Sequence, residues 1–283
     1  MSTAGEDNDI APEGIAGSRI VPEIGGDVGA DSARPPILLL HGVFGTPSLL
    51  RPWSERFEAA GYRVRVPALP GRQPSDDVTL RSLGIEDCYE VAAAAYDSLG
   101  EPAVVVGHSL GGLLAQRIAA SRTPPAVILL APVPPGPLWT QARSVPHLVP
   151  VLPSILRGRP FLPRPKTMRE VPLSTLPRDE QDALIPELVR DSGRVFRQMS
   201  LGAKPTRVRA LDVTCPVLCV SAGQDRNVAP WISRRIATRY GAQHHVHRDL
   251  PHWIVAASAV DRVFPPVAQW LDVQTSQTRR NHS

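Results

Sequence analysis

Lysine is almost missing from this 283-residue chain: Lys166 and Lys204 are the only two, so nearly all of the positive charge is arginine. That preference selects no function by itself. Cysteine is scarce as well. Cys88, Cys215 and Cys219 are an odd number with no paired spacing, which excludes a disulfide framework and leaves them as small, reduced core residues. No apolar run reaches the roughly 18 residues of a membrane-spanning helix. Residues 1–34 have neither the basic start nor the apolar segment of a secretory signal, so a cytoplasmic protein is the expectation. Internal repeats are absent too.

What is present is uneven. The net charge of +4 hides an acidic start, in which residues 1–34 carry seven acids against Arg19 and Arg34. With its Gly and Ala, that stretch fits a largely disordered leader, and only residues 19–24 hint at a strand. Further on, residues 132–209 hold thirteen Lys and Arg against six Asp and Glu, a net of +7. Between these regions apolar, strand-like runs at 37–40, 63–67, 103–106 and 126–131 alternate with helix-like stretches near 49–60, 82–99 and after Leu110. Such alternation predicts an α/β fold, a parallel sheet covered by helices. The rhythm breaks at 132–205, which holds 14 of the 31 prolines, and resumes with strands at 217–221 and 243–248. Helices follow at 230–240 and 266–273, each with proline in its first turn. A chain of this length accommodates one large core with an inserted cap.

The chemistry is concentrated at Gly107-His108-Ser109-Leu110-Gly111-Gly112, which places a G-x-S-x-G between the run at 103–106 and the helix-like 113–120. A serine on a sharp strand-to-helix turn has strained backbone angles, and the flanking glycines have no Cβ to collide with neighbouring chain. The hydroxyl is pushed out above the sheet edge. Behind it the helix aims free backbone N–H groups at the same spot, favouring a developing negative charge. Ser109 is therefore the candidate nucleophile.

On these residues the chain resembles the α/β-hydrolase superfamily, whose fold is a mostly parallel central sheet flanked by helices, with serine, acid and histidine in that chain order. Residues 37–40 and the following His41-Gly42-Val43-Phe44-Gly45 are similar to the family's strand and oxyanion loop. The resemblance implies that the Val43 and Leu110 N–H groups bind the oxyanion. Residues 217–221 lead into a loop similar to the family's acid loop, in which Asp225 would orient the histidine. Residues 243–248 lead through Asp249 to His252, placed where the family carries its base. Such a triad is physically demanded, because a serine hydroxyl attacks poorly unless a neutral, oriented imidazole takes its proton. The implied organisation is a core at 35–131 and 211–275, a helical lid at 132–210 and a flexible tail at 276–283. Members of the family usually begin with a hairpin before the oxyanion strand, so the first sheet edge is expected to be missing or weak.

Each role has rivals. His41 and His108 lie inside the oxyanion loop and the elbow and are alternative bases. Asp249 is an alternative acid, although so close to His252 it fits loop capping better. Some family members take their acid after the strand at 126–131, but the chain continues there as Pro132-Val133, without a carboxylate. His244, His245 and His247 invite a metal site, yet no Cys or well-spaced carboxylate completes one, so they read as strand or surface residues and no metal is expected.

In the insertion, Trp139, Phe161, Phe196 and Met199 either pack the lid on the core or line an acyl pocket, with Phe44 and Trp253 as further candidates for its wall. The first expectation is hydrolysis of a carboxylic ester or lactone with an apolar acyl group, without cofactor. The basic insertion either is a solvated surface or attracts an anionic, coenzyme A-bound or carrier-bound acyl substrate, which makes a thioesterase the nearest rival. C–C hydrolases, lyases and cyclases share this fold and triad, and a non-catalytic ligand receptor is a further alternative. Nucleic acid is not an expected partner, since no recognition motif accompanies the basic charge.

Overall fold

The protein is described by a computed structural model of residues 34–72 and 76–280, with residues 277–280 described as backbone. The acidic leader, its strand hint at 19–24 and residues 281–283 lie outside the described residues. Six strands form one sheet in the order β2-β1-β3-β4-β5-β6, and every pairing is parallel. They are β1 (Ile37–Leu40), β2 (Val64–Arg65), β3 (Val104–His108), β4 (Val127–Leu130), β5 (Val217–Ala222) and β6 (Gln243–His247). Strands β1, β3, β4 and β5 are buried at every residue. This explains their nearly unbroken apolar sequences, since a parallel sheet is covered by helices on both faces. Strand β6 is the most exposed. It lies at the sheet edge and is only half-buried, so it carries Gln and His.

Helices α1 (Arg51–Ala59), α2 (Asp77–Ser82), α3 (Ile85–Asp97) and α4 (Leu110–Arg122) follow the first three strands, and α10 (Pro230–Tyr240) and α11 (Ala257–Arg280) belong to the C-terminal half. Helix α4 is buried nearly all round. Its one buried polar side chain is satisfied, because the Gln116 amide donates to the Gly112 and Val133 carbonyls and accepts from the Tyr240 hydroxyl. Between α1 and α11, Phe57 and Phe264 meet edge to face with centroids 5.0 Å apart, and Trp53 packs on both.

Four local expectations need correcting. The helix anticipated over 82–99 is α3, but it begins only at Ile85, because the Gly84 N–H bonds the Asp87 carboxylate at 2.6 Å to cap it, and the separate α2 precedes it. Strand β2 has only two residues, not the five of 63–67. The last helix begins at Ala257, passes through Pro265 and Pro266, and continues to Arg280, so residues 276–280 are helical rather than a loose tail. The two prolines withhold hydrogen bonds only from the carbonyls of Asp261 and Arg262, which are exposed and can bond water instead.

The fourth concerns the segment between β4 and β5, where the prolines break the rhythm of the sequence and hide individual helices of the expected helical lid. The segment contains α5 (Val145–Leu148), α6 (Leu152–Arg157) and α7 (Pro165–Glu170), ahead of α8 (Arg178–Leu184) and α9 (Gly193–Leu201). The prolines that suggested broken structure sit in first turns: Pro146, Pro153 and Pro165 in α5, α6 and α7, and Pro150, Pro186 and Pro205 in short 3-10 turns. There the missing N–H costs nothing. Helix α9 instead starts at Ser192, whose Oγ accepts from the Arg194 and Val195 N–H groups, and stops at the left-handed Gly202. No helix among the described residues is long and apolar enough to cross a membrane.

The sheet order reverses at β1, which has β2 on one side and β3 on the other, and ligands of open α/β sheets bind at the C-terminal strand ends beside such a reversal. The register pairs Leu40 with Gly107 there, bringing β3 and α4 into tight backbone contact: a Cβ on Gly107 would lie 2.1 Å from the Gly111 carbonyl oxygen. Gly107→Ala is expected to cost about 1–3 kcal/mol. Gly241→Ala, at a left-handed position with open space around it, is expected to cost less. Denaturant midpoints in that order bear on the close approach; equal costs would refute it.

Candidate functional site

Ser109 lies between β3 and α4 with φ 54° and ψ −115°, a conformation that a side chain makes costly. Neighbouring backbone holds it there. Its N–H donates to the Leu130 carbonyl at 3.0 Å, and its own carbonyl accepts from Gly112, Leu113 and Val133. On the other side, a Cβ on Gly111 would sit 2.2 Å from the Leu40 oxygen, and one on Gly42 would sit 2.9 Å from the Ser109 Cβ. The β1 loop, the elbow and α4 are thus in direct backbone contact.

Three chain segments bring their side chains to this point. The Ser109 Oγ lies 2.9 Å from His252 Nε2, and His252 Nδ1 lies 2.7 Å from Asp225 Oδ2. All three residues are buried. Asp225 is fixed through its other oxygen, which accepts the N–H groups of Asn227 and Val228 at 2.7 Å each. An Nδ1–H facing that carboxylate leaves Nε2 as the acceptor for the serine proton. The Val43 and Leu110 N–H groups, at the β1 loop and the first turn of α4, have no protein acceptor among the described residues.

The rival residues are engaged elsewhere. His41 Nδ1 donates to the Gly42 carbonyl while its Nε2 accepts from the Leu69 N–H. His108 Nε2 donates to the carbonyl of His252 and so braces that residue from behind. Burial, assisted by Arg72 for His41 and by His252 for His108, pushes both pKa values down to about 3, so both imidazoles are neutral. Asp249 forms a surface ion pair with Arg262. On β6, His244 pairs with Ser221 and His245 with Gln243.

A cavity of about 400 Å³ opens above Ser109 and His252. Val43, Phe44 and Trp253 from the core line it, together with Phe161, Phe196 and a largely aliphatic set from α5, α6 and α7. Phe44, Phe161 and Phe196 form a triangle with centroids 4.9–5.5 Å apart. Two residues expected on this wall are not there. Met199 is buried, as is Val195 one turn earlier, and it is not among the α9 residues that line the cavity, which are Phe196, Arg197, Ser200 and Leu201. Trp139 is 65% exposed. Its neighbours Leu138 and Thr140 face the cavity and it points the other way.

The segment between β4 and β5 is tied to both halves of the site. Gln141 and Arg143 donate to the Asp225 carbonyl, and Ser144 donates to that of Arg226. At the far side, the Val189 N–H donates to the Phe44 carbonyl at 3.0 Å, and the Phe44 N–H donates to Asp191 Oδ2 at 2.8 Å. Asp191 is paired in turn with Arg72, whose Nη2 lies 3.0 Å away, both side chains being buried. Sequence reasoning missed Asp191 and Arg72 entirely. Neither has a motif, and only their burial, which depends on the folded insertion, sets them apart from the surface charges around them.

The buried histidines have a consequence for acid stability. The unfolded chain takes up protons at His41 and His108 near pH 6.5, whereas the folded chain refuses them down to about 3. The contribution of these two residues to stability is therefore complete above pH 6.5 and falls as the pH drops towards 3, by roughly 1.4 kcal/mol per pH unit for each histidine. Chemical denaturation from pH 7 to 4 measures this, and the slope is expected to shrink in His41→Gln; an unchanged slope would refute the assignment.

Comparison with known proteins places this geometry in a group. Residues 37–265 match the α/β hydrolase family. In three dimensions the chain is similar to a monoacylglycerol lipase of Paleococcus ferrophilus, with a TM-score of 0.66 and 22% identity over 85% of this chain and 96% of that one. It is also similar to a carboxylesterase of Nitrososphaera gargenis, with a TM-score of 0.69 and 13% identity over 90% of this chain and all of the other. At such identities the likeness is one of fold. A curated relative, the magnesium-chelatase 30 kDa subunit of Rhodobacter capsulatus, is 34% identical over 95 residues, and the match spans 33% of its length. The family match extends over most of the chain and takes in the sheet, the elbow and the loops bearing Asp225 and His252, so the protein belongs to the α/β hydrolase family.

Proposed function

We propose that the protein is a serine hydrolase that cleaves carboxylic esters or lactones of apolar acyl groups. The observation that carries this reading is the Ser109–His252–Asp225 chain, with contacts of 2.9 and 2.7 Å, at the floor of an apolar cavity. The lipase and carboxylesterase neighbours agree with it at the level of fold.

In this mechanism Ser109 Oγ attacks the substrate carbonyl as its proton passes to His252 Nε2, and Asp225 stabilises the imidazolium. The tetrahedral oxygen takes hydrogen bonds from the Val43 and Leu110 N–H groups. A preorganised donor of this kind contributes about 2.7–4 kcal/mol to the barrier reduction. Return of the proton to the leaving alcohol yields the acyl-enzyme, which water then cleaves with His252 as base. The acyl group lies against Phe44, Phe161 and Phe196, and the segment between β4 and β5 serves as the lid.

Intact-mass labelling with a fluorophosphonate tests the nucleophile. One adduct per chain is expected for the native protein and none for Ser109→Ala or His252→Ala. Asp225→Asn should fold and retain the serine but turn over an ester about 10³–10⁴-fold more slowly. A native protein that stays folded yet neither labels nor hydrolyses any ester would sink the proposal in favour of a ligand receptor or of non-hydrolytic chemistry.

A second reading, a thioesterase, has one observation in its favour: the wall of the cavity belongs to the basic segment, where Arg157, Arg159, Arg164 and Lys166 are exposed. Matched oxygen esters and acyl-coenzyme A thioesters of the same chain length separate the two. The oxygen ester is expected to show the higher kcat/KM, and the reverse order would move the assignment to thioesters.

A further inference from the structure

The carboxylate of Asp191 stands directly behind the oxyanion loop. One oxygen accepts the Phe44 N–H at 2.8 Å, and the other accepts the N–H of Ser192 at 2.7 Å. The backbone of Asp191 is anchored as well, by a reciprocal pair of bonds with Phe161 at 2.9 and 3.0 Å. Phe44 itself has φ 61°, a left-handed conformation that a bulky side chain adopts only under constraint. Its N–H is taken by Asp191 and its carbonyl by Val189, so the inserted segment grips both ends of the strained residue. Val43 immediately precedes it.

The charge of this carboxylate raises a difficulty that Arg72 resolves. A lone buried carboxylate beside an anion-binding loop would oppose the developing oxyanion. Arg72 Nη2 lies 3.0 Å from Asp191 Oδ2, with side-chain exposures of 1% and 0%. The Arg72 nitrogens make no regular hydrogen bond among the described residues, so the ion pair is their principal contact. Asp191 thus gains the acceptor capacity of a carboxylate while the site keeps a neutral background.

We propose that Asp191 is a positioning residue for the oxyanion hole: it locks Phe44 in its left-handed conformation and thereby aims the Val43 N–H, so the anion site is complete only while the insertion is docked. This rests on the hydrolase reading above. Asp191 touches no substrate. Its action passes through one backbone N–H, which an oxygen acceptor of any charge can hold.

Single substitutions at Asp191 would strand a buried guanidinium, so the test uses pairs that remove both charges. Arg72→Met with Asp191→Leu is expected to stay folded by thermal denaturation and to bind ester with KM within about 3-fold of native. Its kcat and its affinity for a boronic acid transition-state analogue should both fall by about 10–100-fold. Arg72→Met with Asp191→Asn keeps an oxygen for the Phe44 N–H and is expected to recover most of that loss. Amide hydrogen exchange in a peptide covering residues 41–46 should accelerate in the Leu pair and not in the Asn pair. A Leu pair with native kcat, or Leu and Asn pairs that fall equally, would overturn the proposal. Native protein assayed alongside separates that failure from failure of the hydrolase reading, since the latter would leave native and Ser109→Ala equally inactive.

Discussion

The carbonyl oxygen of Leu40 lies only 2.2 Å from where a Cβ on Gly111 would stand, and the carbonyl oxygen of Gly111 lies 2.1 Å from that place on Gly107. These contacts between backbones set the spacing of β1, β3 and α4, and with it the position of Ser109. Any side chain there would push the helix off the sheet and the β1 loop away from the serine. The register of the central strands and the strained angles of Ser109 belong to one arrangement, in which strain at one residue is sustained by the packing of three elements.

On this frame electrostatics is arranged by what is kept neutral. Three buried histidines converge near the strand ends, yet only His252 has a carboxylate against its ring and a hydroxyl on its far side. His41 and His108 are spent on backbone groups, and burial keeps protons off them. The Asp191–Arg72 pair follows the same logic, bringing a strong acceptor into the protein without leaving net charge there. In the proposed mechanism, proton transfer is thereby left to one ring.

Much of this is legible in the amino-acid sequence, and the reason differs from feature to feature. Strands β1, β3, β4 and β5 were visible because burial on both faces demands unbroken apolar sequence. Ser109, Asp225 and His252 stood out through the loops around them, although only the fold brings those loops within hydrogen-bonding distance. Helices α5, α6 and α7 stayed hidden because a proline in a first turn and a proline in a loop look alike in sequence. Trp139 and Met199 are candidates in sequence both for the cavity wall and for packing the lid, and the fold leaves both off the wall, with Met199 buried and Trp139 exposed. Asp191 carried no local signal. Its role depends on a backbone N–H far away in the chain, and backbone groups are the same at every position.

The prolines of the insertion also bear on what kind of wall they build. Of the helices between β4 and β5, only α9 has a side-chain cap, while α5, α6 and α7 are started by proline. Each such proline restricts the unfolded chain at a compatible position, which stabilises the segment by about 0.4–1 kcal/mol without adding a contact. The wall is accordingly a set of short rods joined at corners, ordered by packing on the core and helped by a contribution from each proline that needs no contact. Replacing exposed residues that face the cavity leaves that contribution untouched, so part of the enclosure's order survives changes in its interior.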